Sequence, residues 1–390
     1  MFLTVYTLGM DTTAVKPPEK SVKKIIWANL LFFIGTTSFG VIGTAVYLYY
    51  FGISLFEVSL FVFYTLATSF SITVGYHRLF SHVSFKATAL VRFLVLFFGA
   101  ASFEQSALTW ASQHRKHHRY VDTDYDPYSI KKGFFYAHLG WMIFWEHPVE
   151  FDNVQDLKKS RMVMSQHRHY ALWSIGSGIV LPVLIGALAG HALGAFLIAF
   201  CLRVTLVYHT TWAINSFAHT LGQATYDIDS SAKDHWFTAL LTNGEGYHNY
   251  HHRFPGDYRN GVRWYDWDPT KWVINLLAWM GLARDLIRVS KFRIYAARIG
   301  AEKQRLERVI LSKASESERN ALQNAIKEQY ERVKQTLHEW EVSAQAYRDV
   351  LQGKIERQSE AGRVAAMKYF ESKKLFRYYF AQWKMAYQKI

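Results

Sequence analysis

The chain has 390 residues, half of them hydrophobic and 17% aromatic, with 45 Lys+Arg against 31 Asp+Glu for a net charge of +14. Its one cysteine, Cys201, excludes an intrachain disulfide, an iron–sulfur cluster and a cysteine-rich zinc site. The mean hydropathy of −0.05 averages two unlike regions, apolar to about residue 290 and polar beyond it. Residues 291–390 hold 21 Lys+Arg against 12 Asp+Glu, so +9 of the net charge lies there. A basic balance suits nucleic acid or an anionic surface. With no nucleic-acid recognition motif in the chain, the expected partners are a membrane surface or an acidic redox protein.

Residues 1–24 read as a cytoplasmic N-terminal segment. Lys16, Lys20, Lys23 and Lys24 give it charge, but the apolar run behind them is too long for a signal-peptide core and lacks a cleavage site, so it reads as a retained span. Four apolar stretches reach the roughly 20 residues that cross a bilayer core: residues 25–51, 55–76, 170–188 and 193–214. Short breaks at 52–54 and 189–191 make them two hairpins. Residues 90–103 are apolar but too short to span, which predicts an interfacial or re-entrant helix. Both hairpin tips lack Lys and Arg, whereas the N-terminal segment, the 78–168 loop and the chain after His219 are rich in them. Both termini therefore face the cytoplasm. Arg203, a charge inside the fourth stretch, calls for a partner or for snorkelling to an interface.

After a turn-rich stretch at 254–258, residues 269–279 read as a short aromatic helix. Ser315 and Glu318 form a capping box. Behind it Ile326, Tyr330, Val333, Leu337, Trp340, Ala344, Tyr347 and Leu351 alternate spacings of four and three, a heptad seam. Gly353 and Gly362 are expected to break the helix before a last basic, aromatic segment at 368–387. The seam serves a self-packed helical hairpin over the cytoplasmic face, a homo-oligomer, or docking of an acidic electron donor. The predicted organisation is thus all-α: an N-terminal segment (1–24), a membrane domain (25–290) of four spans with a cytoplasmic helical cap, and a basic helical extension (291–390).

The histidines carry the chemistry. His77-Arg-Leu-Phe-Ser-His82, His114-Arg-Lys-His117-His118 and His248-Asn-Tyr-His251-His252 are tight clusters, and Asn215-Ser-Phe-Ala-His219 ends the fourth stretch. Neutral imidazole is the commonest metal ligand, and nine exceed what one ion uses. At i, i+3 and i+4, the three imidazoles of each His-x-x-His-His share a helix face. His77 and His82 are five apart, about 140° on a straight α-helix, so either they serve different metals or the helix ends between them. Asn215, one turn before His219, is placed to hold a water against a metal. The histidines at 138, 147, 167, 169, 191, 209, 235 and 338 lack clustering and read as structural, with His138 and His235 as supports behind the ligands. A sulfur-free, carboxylate-poor donor set suits iron, copper or zinc.

These boxes, with Gly244-Glu-Gly-Tyr leading into the third, resemble those of the membrane-bound fatty acyl desaturases of the stearoyl-CoA Δ9 type, over roughly residues 25–290. The resemblance implies two iron ions held by the nine histidines, with Asn215 acting through a water. It implies O2 as co-substrate, two external electrons, and a cis double bond placed at the ninth carbon of a long saturated acyl chain. By the same resemblance Trp110, Thr211 and Trp212 line and bend the acyl tunnel, Thr65 and Ser69 close it, and Lys131 and Lys132 hold the phosphates of coenzyme A. The chain departs from animal members at Ser112-Gln113, where they carry Arg-Asp, which leaves a lipid-bound or carrier-bound acyl chain open as substrate. No His-Pro-Gly-Gly haem-binding motif is present, so a separate donor of ferredoxin or cytochrome type with its reductase is expected, as in a bacterial inner-membrane enzyme. Two other readings stand beside this one. A di-iron hydroxylase uses the same ligands. A metal transporter or haem-binding membrane protein would set its ligands near the bilayer midplane rather than at the cytoplasmic ends of the spans.

Overall fold

The computed structural model describes residues 24–145, 149–313 and 315–388, so Lys16, Lys20, Lys23 and His147 lie outside the described residues. Among the described residues, four helices are long and apolar enough to cross a membrane: Trp27–Phe51, Leu55–Ser81, Tyr170–Leu188 and Ala192–His219. The second and fourth run on to Ser81 and His219 rather than stopping at 76 and 214, so His77 and His219 ride on the spans themselves. Leu31, Ile42, Leu55, Leu172 and Leu188 are exposed on the span surfaces, an arrangement that suits lipid and not water. The fourth span is the central one: 67% of its apolar window is buried, against 28% for the first.

Arg203 sits fully buried in that fourth span. Neither an acidic partner nor snorkelling satisfies it. Its guanidinium donates to the backbone carbonyls of Ala199 (2.8 Å), Ala101 (2.7 Å) and Gly178 (3.2 Å), joining the span to two neighbouring segments. An unpaired charge at this depth is costly, and backbone carbonyls are one accepted way to hold it.

Helix α1 (Ala89–Ala100) has 12 residues, too few to span. It packs Val95 against Gly75 of the second span, where an added Cβ would stand 2.6 Å from the valine Cβ, so the close approach requires glycine. The cap adds α2 (Ala107–Tyr120), α3 (His248–Arg253) and α4 (Pro269–Trp279), the last as expected. A short antiparallel strand pair sets Lys86 opposite Arg284 and Ala87 opposite Ala283. The cap is tied to the second span by Arg78, 1% exposed, whose guanidinium donates to Asp268 (3.0 Å) and Glu245 (2.8 Å).

Beyond the cap lie α5 (Lys291–Lys313), α6 (Glu316–Leu351) and α7 (Glu360–Gln388). They share their own core, including Phe292, Ile299, Val333, Leu337, Trp340, Phe376 and Trp383. The heptad seam of α6 is therefore filled by helices of the same chain, three in place of a hairpin, with only Leu351 of the seam exposed. Glu318 accepts from the Ser315 N–H (3.1 Å), as the capping box predicts. Gly353, at φ +73°, ends α6. Gly362 breaks nothing: it lies in the first turn of α7, where a Cβ would meet the Glu356 carbonyl at 2.3 Å. Arg305 donates to the Ala224 carbonyl at 2.6 Å and Arg308 pairs with Asp229, seating the extension on the cap.

Candidate metal centre

The last stretch of the second span, Ser71–Ser81, winds as a π-helix, and the His82 N–H continues its i→i+5 pattern by donating to the His77 carbonyl at 3.1 Å. Wider winding brings residues five apart onto one face. The 140° separation expected for His77 and His82 thus disappears, and their rings lie 4.9 Å apart. In α2 the i, i+3, i+4 pattern fans across two groups. His77, His82, His114, His118 and His251 form one; His117, His219, His248 and His252 form the other. All nine predicted histidines are used, and within each group the ligand atoms lie within 4.8 Å of one another. His118 and His252 stack at 4.3 Å across the two groups.

The donor set fits cations. Nε2 atoms face one another at 2.8 Å (His82–His114), 2.9 Å (His77–His251), 3.0 Å (His118–His251), 3.1 Å (His248–His252) and 3.2 Å (His117–His252). Adjacent ligands at right angles around an ion with bonds of about 2.1 Å stand about 3 Å apart. The far nitrogens settle the tautomers. His77 Nδ1 lies 2.9 Å from Glu245 and His117 Nδ1 2.8 Å from Asp126, so in these rings Nδ1 carries the hydrogen and Nε2 presents a lone pair. His219 Nδ1 lies 2.7 Å from Ser231 Oγ, and its buried Nε2 has no hydrogen-bond partner. Burial, reinforced by the neighbouring rings, pushes His82, His114, His118, His248, His251 and His252 well below the usual imidazole value, which keeps their lone pairs available. Burial alone would raise Glu245, but Arg78 and His77 outweigh it and hold its carboxyl at about 2.

Asn215 faces a narrow cavity of about 50 Å³ that also reaches His77, His114 and His248. Its walls include Trp110, Thr211 and Trp212, as expected, together with Glu104, Tyr128, Trp141 and Met142. Trp110 stacks on the His114 ring at 4.8 Å. Ser69 lines a smaller void that shares Thr73, Thr211 and Ile214 with this cavity, whereas Thr65, one turn earlier, lines neither. On the other side a recess bounded by Asn29, Gln105, Gln113 and Tyr136 shares Gln113, Trp141 and Met142 with the main cavity. Lys132 Nζ lies 5.0 Å over the Tyr136 ring, and Lys131 is exposed beside it. Ser112 does not reach the cavity; its hydroxyl donates to the Glu150 carbonyl.

Some supports differ from expectation. His235 bonds Thr238 and His138 bonds Ser216 and His209, so neither stands behind a ligand. The supports include Glu245, Asp126 and Ser231. Two of these sit in motifs the sequence displays, Gly-Glu-Gly-Tyr and Asp-Pro-Tyr, but nothing in the spacing says that a carboxylate there turns inward. Glu104, buried at the cavity wall, carries no motif at all.

The fatty acid desaturase family profile matches residues 56–281. The chain is 45% identical over 228 residues to a probable acyl-CoA desaturase of Schizosaccharomyces pombe, covering 58% of this chain and 48% of that protein. It is 41% identical over 250 residues to acyl-CoA desaturase 1 of Saccharomyces cerevisiae, covering 63% and 49%. To a Delta(9)-fatty-acid desaturase of Caenorhabditis elegans it is 33% identical over 293 residues, covering 71% and 86%. The chain thus spans about half the length of the two yeast relatives. The resemblance carried by the histidine boxes is borne out: the chain belongs to the fatty acid desaturase family.

Proposed function

We propose that this protein desaturates a long saturated acyl chain, held as its coenzyme A thioester, at the ninth carbon to give a cis double bond, using O2 and two electrons from a separate ferredoxin-type or cytochrome-type donor. The observation that carries the reading is the juxtaposition of two all-imidazole clusters with a cavity walled by Trp110, Thr211 and Trp212 between the spans. Two iron ions, held by the five-histidine and four-histidine groups, would supply O2 activation and removal of hydrogen from an unactivated methylene.

The chain's own residues do the rest. Glu245 and Asp126 fix the tautomers of His77 and His117. Asn215, on the wall of the cavity that reaches His77, His114 and His248, is positioned to hold a water beside the clusters. The indoles of Trp110 and Trp212 narrow the path beside the clusters, and the low-dielectric wall keeps bulk water from the reacting carbons. The recess past Gln113 leads toward Lys131 and Lys132, which suit phosphate. Acyl-CoA is favoured over a lipid-bound chain by the names of the yeast relatives. The relatives described above are yeast and animal proteins, so a bacterial membrane finds no support among them. The Lys/Arg distribution supports a cytoplasmic location for both termini.

The test is direct. Protein purified in detergent, loaded with Fe(II) and supplied with stearoyl-CoA, a reductant and O2 should contain two irons per chain and form oleoyl-CoA. A hydroxylated product, or full iron loading with no acyl product under any donor, would overturn the reading.

A further inference from the structure

Between the cap and the helical extension lies a groove of about 640 Å³, lined by none of the nine histidines. Tyr226, Arg253 and Phe254 form its cap side, and Arg293, Gln304 and Tyr330 its extension side. It stays open because α5 turns Ala296, Ala297 and Gly300 toward it, and a Cβ added at Gly300 would meet nothing within 4 Å. Arg253 and Arg293 are exposed, and among the described residues neither guanidinium has an ion-pair partner. The acids of the groove are taken up locally: Asp229 pairs with Arg308, and Asp227 accepts from the Asp229 N–H at 3.0 Å. A neighbouring recess of about 420 Å³ adds Lys233, Arg305 and Arg308. The two hollows together present five Lys and Arg against two Asp, at the foot of an extension that itself carries +9.

The floor of the groove is close to the metal ligands. Arg253 directly follows His252 on α3. Tyr226 sets its ring edge-on to that of Tyr250, with centroids 5.2 Å apart, and Tyr250 is buried between Asn249 and His251 in the chain. Asn249, also buried, accepts from the Tyr226 N–H at 2.6 Å, which holds this loop against α3. Electron transfer falls off steeply with distance, so a redox group seated over Tyr226 is well placed to reach the histidine groups. Cations on both walls and in the adjoining recess cover more surface than one phosphate would, which suits the acidic face of a protein. We infer that this junction of cap and extension is the docking surface of an acidic one-electron donor protein, which passes electrons to the metal centre through α3. The inference rests on the desaturase reading above, which needs two external electrons. Each docking event oxidises the donor by one electron and reduces the metal centre by one, and two events complete the pair. The family profile ends at residue 281, so Arg293, Gln304 and Tyr330 belong to a segment outside it.

The experiment measures binding of two probes, an acidic ferredoxin and an acidic soluble haem protein of cytochrome type, to the full metal-free chain in detergent at several salt concentrations. Wild type should bind at least one of them, more weakly as salt rises. The double variant Arg253→Glu with Arg293→Glu should bind that probe roughly tenfold more weakly or worse. Lys368→Glu with Lys374→Glu makes the same change in net charge at two exposed sites on α7 outside both hollows, and should stay within about twofold of wild type because screening confines the effect of a distant charge. Binding of neither probe, equal weakening in both double variants, or wild-type affinity in Arg253→Glu with Arg293→Glu would overturn the docking surface. In iron-loaded protein, reduction by the bound donor should slow by the same factor in Arg253→Glu with Arg293→Glu, while photochemical reduction by a small neutral dye should not. If both reductions slow alike, the variant has damaged the metal centre and the docking role is overturned. Donor binding as expected with no acyl product from wild type would count against the desaturase reading, not the docking surface.

Discussion

The carboxylate of Glu245 lies 2.9 Å from Nδ1 of His77, and through this contact a residue six positions before His251 orients a ligand on the second span. The same carboxylate accepts from Arg78 at 2.8 Å, so two consecutive residues of the span are locked to the third histidine box. Supports of this kind hold a ring in one tautomer and raise its basicity, and their loss costs roughly 10–100-fold in metal affinity. Glu245→Gln should therefore weaken iron at the five-histidine group by that factor and leave the group with four near wild type. Competition titration with a chelator reads both sites; equal affinities in the variant and wild type would contradict the role given to Glu245.

The clustering of the histidines was legible because imidazoles recur in His-x-x-His-His, a spacing that sets three rings on one helix face. The division of the nine histidines between the groups was not. His117 and His118 are neighbours in sequence yet serve different groups, and the pairing of His77 with His82 depends on π winding that no residue type announces. The spans were readable from length and apolar character, but the continuation to Ser81 and His219 lay hidden because polar ligands end the hydropathy signal before the helix ends. In the extension, the heptads marked a buried seam correctly while leaving its partner open, since periodicity says which face is apolar and not what covers it.

His118 and His252 stack across the two groups. Replacing either by Ala should abolish turnover and lower iron content while the protein still inserts in the membrane. Alkaline extraction of membranes and metal analysis check both halves. Full activity in either variant would contradict the assignment of ligands.

Ser69 lines the void that continues the cavity between the second and fourth spans. Ser69→Phe should fill it and shift preference toward shorter chains, read as a rise in palmitoleoyl over oleoyl product. Thr65→Tyr, one turn farther on, should have the smaller effect, since Thr65 lines neither void. The reverse order would place the closed end of the tunnel at Thr65.

Trp383 is 1% exposed in the core of the extension, and its indole donates to Glu302 at 2.7 Å. Trp383→Ala should cost that core about 3–5 kcal/mol, seen as faster proteolysis within residues 291–390. Iron content should not change, because among the described residues no histidine of either group comes from the extension. Loss of iron together with the extension would show that the cap depends on it.

The most direct test of the central claim is lipid profiling. The chain is expressed in a host unable to make monounsaturated acyl chains aerobically, together with a ferredoxin or cytochrome donor, and acyl chains are analysed by mass spectrometry with double-bond location. The account predicts a new monoene at the ninth carbon that requires O2 and is absent with His118→Ala. A hydroxylated chain, or a monoene that persists in His118→Ala, would contradict it.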